Sequence, residues 1–191
     1  MGKIKYINEV RKFFKKNHVV NINSLKKFVF SEDYVYLLIN NLMKKGEIKR
    51  ITKGYYTIHE DPILAVFCFK PCYIGLQNAL SVHDLWEQET NPVIITTKKI
   101  RQGRREILGS NVILRRMDSK YFFGFGYMKE GELYVPVSDI EKTFIDMIYF
   151  RQNLDKELLK SFRKKIDLNK LKKYLKKYDE RVNVKVKKLI C

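Results

Sequence analysis

Asn40, Asn41 and Lys44 are followed within eleven residues by Lys49, Arg50, Thr52, Lys53 and Tyr55. Those side-chain types, in that order, can do nucleic-acid chemistry. A side-chain amide can hold the edge of adenine with two hydrogen bonds, and an apolar neighbour such as Leu37 can meet a thymine methyl. Lysine, arginine and threonine are donors for phosphate oxygens. Ser31, Asp33, Tyr34 and Tyr36 precede the amides in the same segment. Glu32 and Asp33 weaken phosphate contact at that end. Asp33 can accept from a cytosine amino group or serve as a capping charge at a helix start.

Catalytic chemistry has no comparable constellation. The chain contains no GxSxG, no phosphate-loop glycine pattern, no HExxH and no paired CxxC. Cys68 and Cys72 lie between His59 and His83, but "AVFCFKPCYIG" is apolar and lacks a second close ligand pair. These two read as buried thiols packed like small hydrophobes, and three cysteines, Cys68, Cys72 and Cys191, are too few and too odd a set for a disulfide framework. Glu47 and Lys49 have nuclease-like spacing, which a turn into a basic hairpin explains as well. His83 and Asp84 are neighbours that point different ways on a helix. The expectation is a protein that is not an enzyme, with no catalytic residue, no metal and no cofactor.

Periodicity supplies the elements that would position the DNA-directed residues. Ile7, Val10, Phe13 and Phe14 share a helical face within residues 5–16, and Ile22, Leu25, Phe28 and Val29 predict a short second helix over residues 22–30. Ser31 is a good N-cap for a third helix striped by Val35, Leu38, Ile39 and Leu42, and Gly46 fits its C-terminal cap. "EIKRI" and "YYTI" then alternate as strands about "TKG". Three helices and a basic hairpin are the order of a winged helix-turn-helix, in which the third helix enters a major groove and the wing lies along the backbone. The outward face of that helix is Asp33, Leu37, Asn40, Asn41 and Lys44, flanked by Tyr34 and Tyr36. On the wing, one of Tyr55 and Tyr56 packs beneath and the other faces out. A winged helix used for protein contacts is the alternative.

Residues 61–191 read as a second, α+β domain opened by Asp61–Pro62. "PILAVFCF" fits a buried strand or a short helix and is read as the helix, and "YIGLQNALSVHDLW" reads as a helix with Ile74, Leu76, Ala79 and Leu80 inward. About five strands follow, in "PVIITTKKI", on both sides of "GSN", and in "YFFGFGYM" and "ELYVPV". "SDIEKTFIDMIYF" has Ser138 three residues before Glu141, the spacing of a capping box ahead of an apolar helix. Residues 151–191 read as helices, although in "RVNVKVKKLIC" Val182, Val184 and Val186 also alternate like a strand. The fold class expected is therefore α+β: an N-terminal winged helix-turn-helix (1–60), then an α+β domain with a small mixed or antiparallel sheet and a basic helical C-terminus.

The 191 residues carry a net charge of +18. Residues 1–60 hold 13 basic and 5 acidic side chains, residues 61–150 hold 11 of each, and residues 151–191 hold 15 and 5. Basic segments attract phosphate polymers through counterion release. Lysine-rich helices can also be plain solvated surface, and an anionic membrane surface is a weaker rival because no strongly apolar face accompanies the charge. Arg163, Lys164, Lys165, Lys172, Lys173, Lys176 and Lys177 are the auxiliary DNA contacts expected of the basic end. No apolar run approaches the roughly 18 residues of a membrane span. The N-terminus lacks the apolar core and cleavage site of a secretory signal. Cytoplasmic location is expected.

The order "YIGLQNAL", "VIITTKK", "YFFGFGY" and "VPVSDIEKTFIDMIY" resembles the AbiEi-type antitoxins, transcriptional regulators of type IV toxin–antitoxin (abortive infection) systems. Glu141, Lys142, Thr143 and Asp146 stand at the positions of that family's "EKTLLDL" helix. The resemblance covers nearly the whole chain. It implies that the winged helix binds an inverted-repeat operator in double-stranded DNA and represses its own operon. It also implies that the second domain counteracts a nucleotidyltransferase-like toxin without a tight complex. The competing reading is a stand-alone winged-helix transcription factor whose α+β domain senses a ligand or dimerises. Oligomeric state is not legible in the sequence.

Overall fold

The computed structural model describes residues 6–29, 31–88 and 90–190. The expected helix start at Lys5, the end of the second expected helix at Phe30, and the thiol of Cys191 lie outside the described residues. The chain forms two compact units. One comprises Met1–Cys68 with Glu106–Asn111, and the other Phe69–Arg105 with Val112–Cys191.

In the first unit, helix α1 (Ile7–Lys16) buries Val10 and Phe14 and keeps its basic residues outward. Strand β1 (Val20–Asn21) leads into α2 (Ile22–Leu25), and α3 (Glu32–Lys44) follows. Val35, Leu38, Ile39 and Leu42 of α3 are all buried, packed with Phe14, Leu25 and Val29. Burying each such side chain contributes about 1.5–3 kcal/mol. Ser31 caps α3, its hydroxyl accepting the Tyr34 N–H at 3.4 Å. At the other end, Gly46 takes a φ of 70°, and the N–H groups of Gly46 and Glu47 return to the carbonyls of Met43 and Leu42. That double closure requires a left-handed residue, which is why glycine stands there.

The chain then enters β2 (Lys49–Thr52) and β3 (Tyr55–Thr57), joined through Lys53 and Gly54. The three strands form an antiparallel sheet in the order β1-β3-β2, with Val20 opposite Tyr56. Periodicity did not reveal β1, because two residues carry no pattern and the strand exists only through pairing with a partner 36 residues away. The second helix is also shorter than expected, ending at Leu25 and giving way to turns. The first unit runs past residue 60. A 3₁₀ helix, Pro62–Cys68, buries Ile63, Leu64, Ala65, Val66 and Cys68 and packs beside β2.

The second unit is built on a mixed sheet in the order β6-β7-β5-β4-β9-β8. The sheet's strands are β4 (Cys72–Ile74), β5 (Val93–Thr96), β6 (Gly103–Ile107), β7 (Ser110–Arg116), β8 (Phe125–Glu130) and β9 (Leu133–Ser138), the Glu106–Asn111 tip of β6 and β7 being the stretch that belongs to the first unit. The second unit's helices are α4 (Leu76–Val82), α5 (Ile140–Tyr149), α6 (Lys156–Lys165), α7 (Leu168–Leu175) and α8 (Glu180–Ile190). Six strands replace the five expected. The extra one is β4, which takes Tyr73 and Ile74 from the start of an expected helix. Cys72, Tyr73 and Ile74 are instead fully enclosed between β5 (antiparallel) and β9 (parallel).

Helix α5 packs on α4, α6, α7 and α8, and every residue from Glu141 to Ile148 is buried. The capping box expected of Ser138 and Glu141 does not form. Ser138 is the last residue of β9, and Asp139 is the cap, accepting the Lys142 N–H at 2.8 Å. Gly124, in the aromatic segment before β8, has a φ of 73°, and a Cβ there would lie 2.9 Å from the Tyr174 ring and 3.0 Å from the Lys142 Cβ. Gly126, two residues on, faces open space. Gly124→Ala should therefore lower unfolding stability by roughly 1–3 kcal/mol, while Gly126→Ala changes it by under about 1 kcal/mol, both read by urea denaturation.

Candidate nucleic-acid interface

Because α3 buries one stripe, its opposite face is exposed. Asp33, Tyr36, Leu37, Asn40 and Lys44 stand outward, Asn41 and Tyr34 are half-buried, and Met43 joins the exposed set. Leu37 is 51% exposed and Tyr36 46%. A helix meant only for solvent does not usually gather Tyr, Leu and Met beside an asparagine, though single exposed apolar residues are ordinary. Glu32 is engaged by the Lys26 ammonium at 2.9 Å, and Lys26 also lies 5.4 Å from the Tyr36 ring centroid. The acidic charge at the start of α3 is thereby partly answered within the unit.

On the hairpin, Arg50 and Lys53 are exposed, Thr52 and Tyr55 are half-buried, and Tyr56 packs inward. Lys49 is also exposed but is paired with Glu60. Its charge is shared, so of the three hairpin cations Arg50 and Lys53 are the stronger phosphate donors. Glu47 is bound by the Arg11 guanidinium through two bonds of 2.7 and 2.6 Å, which holds its carboxyl below the usual range and ties α1 to the start of β2. The nuclease-like spacing of Glu47 and Lys49 thus resolves into two separate ion pairs.

The auxiliary basic residues Arg163, Lys164, Lys165, Lys172, Lys173, Lys176 and Lys177 are all exposed on α6, on α7 and just beyond α7. Arg163 donates to the Leu189 carbonyl, Lys165 to the carbonyls of His83 and Asp84, and Lys177 covers the Phe123 ring at 4.2 Å. Those three have structural duties as well as charge. A further basic cluster was hidden by averaging over residues 61–150. Lys98, Lys99, Arg101, Arg104, Arg105, Arg115 and Arg116 fall within nineteen residues that contain one acid, Glu106. They occupy the β5–β6 loop, β6 and the end of β7, with Lys98, Lys99, Arg101, Arg104 and Arg116 exposed. A twenty-residue charge window would have found them.

The residues that carry the family resemblance are placed inside the second unit. Lys142 and Asp146 are paired with no exposed side-chain surface on either. The Tyr73 hydroxyl donates to Asp146 at 2.7 Å, and Lys142 donates to the Tyr178 hydroxyl at 2.9 Å and approaches the Met117 sulfur at 3.4 Å. The rings of Tyr73, Phe123 and Tyr178 surround the ammonium at 5.4–5.6 Å. Burial pushes Asp146 up and Lys142 down, and each partner's charge opposes the other's shift. Glu141 accepts the Asp167 N–H at 2.8 Å and meets Lys170 at 2.8 Å, so it caps the junction before α7 rather than its own helix. Thr143 and Ser138 share a hydroxyl bond of 2.7 Å.

Cys68 and Cys72 are both buried, and burial pushes the Cys72 thiol up to about 12. His83 bonds the Ser138 carbonyl at 2.6 Å. His18 and His59, far apart in sequence, lie with ring centroids 4.9 Å apart. No three His, Cys, Asp or Glu side chains converge among the described residues. Among those residues, no helix is long and apolar enough to cross a membrane.

The fold is α+β, a helical and three-stranded unit with a six-stranded mixed-sheet unit. It is similar to that of the RV2827C protein from Mycobacterium tuberculosis, whose crystal structure superposes with a TM-score of 0.62 at 11% identity, over 97% of this chain and 75% of that one. At that identity the likeness concerns the fold alone. No protein-family model matches the sequence, and no curated protein matches it.

The buried pair makes a direct prediction. Lys142→Met strands a buried carboxylate and should cost about 3–5 kcal/mol, whereas Lys142→Met with Asp146→Leu should recover much of that loss. Thermal and urea unfolding of the two variants check it. If the double variant is no more stable than the single one, the cost lies in packing and not in the unpaired charge.

Proposed function

We propose that this protein is a DNA-binding transcriptional regulator. Its first unit acts as a winged helix-turn-helix, reading double-stranded DNA with α3 and gripping the backbone with the β2–β3 hairpin. The observation that carries this reading is the exposed face of α3, where Asn40 and Leu37 stand opposite the buried Val35–Leu42 stripe, followed by Arg50 and Lys53 on the hairpin. Asn40 is the bidentate adenine reader, and Leu37 with Tyr36 takes thymine methyls. The exposed lysines of α6 and α7, and the 98–116 cluster, add phosphate contacts without sequence preference.

The resemblance to AbiEi-type antitoxins supports a more specific role. The chain would repress its own toxin–antitoxin operon at inverted repeats and oppose a nucleotidyltransferase-like toxin. The Glu141–Asp146 segment, being internal, would serve that role by shaping the second unit rather than by touching a toxin. Rescue of cells arrested by a neighbouring nucleotidyltransferase-like gene tests this part, and failure of rescue removes the antitoxin role while leaving DNA binding standing.

Affinity for a site selected from random duplexes should fall linearly with the logarithm of salt concentration. Arg50→Ala and Lys53→Ala should each reduce that slope by about 1, and Asn40→Ala should cost about 1–3 kcal/mol on the selected site while sparing non-specific binding. Removing residues 151–191 is not a clean test of the basic end, because Leu158, Phe162, Leu171 and Val186 belong to the core. Neutralising Lys164, Lys172, Lys173 and Lys176 to glutamine keeps the fold and should flatten the slope. Fluorescence anisotropy across salt concentrations measures all of these, and salt-independent affinity overturns the DNA reading.

A further inference from the structure

β8 ends the six-stranded sheet, and among the described residues its strand neighbour is β9 alone. The opposite edge strand, β6, carries Arg104, Arg105 and Glu106 in succession, a row of charge that discourages strand addition. β8 is different. Tyr127 on β8 and Tyr134 on β9 are 69% and 64% exposed, the two most exposed large apolar side chains among the described residues. The β8–β9 register sets Lys129 directly opposite Tyr134 and Tyr127 opposite Pro136. Residues opposite each other, and residues two apart, share a face, so Tyr127, Lys129 and Tyr134 form one exposed patch.

We infer that β8 pairs antiparallel with β8 of a second copy of this chain, continuing the sheet across a two-fold axis. Symmetry restricts the pairing. A two-fold axis normal to the sheet keeps each side chain on its own face, so paired residue numbers must sum to an even value. Centring the pair on Met128 sets Tyr127 opposite the partner's Lys129 and Gly126 opposite the partner's Glu130. The row across four strands then reads Tyr134, Lys129, the partner's Tyr127 and the partner's Pro136. Each Lys129 then faces the partner's Tyr127 ring across the axis, a cation–π contact that occurs twice by symmetry. Centring on Tyr127 would instead stack the two Tyr127 rings and set each Lys129 opposite Phe125. Lys129 therefore selects the register as well as contributing to it. This is strand addition with main-chain hydrogen bonds for affinity and the Tyr–Lys row for specificity. It does not depend on DNA binding, though a two-fold dimer would present two DNA-reading units to an inverted repeat.

The full chain should sediment at twice its 22.9 kDa mass at high concentration and dissociate on dilution. Tyr127→Lys sets lysine against lysine and should weaken the dimer roughly tenfold or more, whereas Tyr127→Glu replaces the cation–π contact with an ion pair and should keep it. Tyr127 is exposed, so both variants should retain the wild-type circular dichroism and, at dilutions where the wild type is monomeric, its melting temperature. A wild-type monomer at all concentrations, or a dimer indifferent to Tyr127→Lys, overturns the proposal. Dissociation by both substitutions overturns the Tyr127–Lys129 register.

Discussion

A lysine and an aspartate, both without exposed side-chain surface, hold together the centre of the second unit. Burying either charge alone would cost several kcal/mol, so each exists there only because the other, and a ring of polar and aromatic groups, replaces its water. The groups that do so come from everywhere. Tyr73 comes from β4, Met117 follows β7, Phe123 precedes β8, and Tyr178 lies between α7 and α8. A single helical turn of α5, from Lys142 to Asp146, therefore fixes where the middle of the sheet and the C-terminal helices meet. Gly124 belongs to the same constraint, since its missing Cβ lets the aromatic segment lie against Lys142 and Tyr174.

The rest of the α5 surface follows the same rule of internal satisfaction. Glu141 receives the Asp167 N–H and the Lys170 ammonium, and Asp139 caps α5 while accepting the Tyr174 hydroxyl. Burial pushes Tyr174 up to about 12, aided by that bond to Asp139. Burial works against the Lys170 charge, but its bonds to Glu141 and Asp139 outweigh it and raise its pKa. The polar residues that make "SDIEKTFIDMIY" recognisable are thus used up in folding. These residues report architecture, and the surface chemistry must be sought elsewhere in the chain.

That surface chemistry is positive, and the fold distributes it unevenly. Ion pairs with Glu32, Glu47 and Glu60 engage Lys26, Arg11 and Lys49 in the first unit, so Arg50, Lys53 and Lys44 keep more of their charge for a partner. In the second unit, Arg163, Lys165 and Lys177 also serve as ties to carbonyls and a ring, while the cluster from Lys98 to Arg116 gathers at one end of the sheet. Counting charge over long segments hid that cluster, because eleven acids spread over residues 61–150 balance eleven cations, seven of them within nineteen residues.

The local part of this structure was legible from residue order. The α3 stripe, the Ser31 cap, the Gly46 stop, the hairpin about Lys53 and Gly54, and the inward Tyr56 with an outward-leaning Tyr55 all depend on interactions within a few residues. Periodicity and cap chemistry record such interactions directly. The elements it missed depend on distant partners. β1 is two residues that pair with β3, β4 is a strand only because β5 and β9 flank it, and the 3₁₀ helix Pro62–Cys68 sits with the first unit because of what it packs on. Ser138 has the right type and spacing for a cap, yet β9 claims its backbone and Asp139 takes the role. Sequence alone determined the helical faces, the net charge and the donors of α3 and the hairpin. Only the tertiary structure decided that Lys142 and Asp146 are sealed inside and that Tyr127 and Tyr134 are left outside. Burial is a property of what surrounds a residue, and a residue's neighbours along the chain do not specify it.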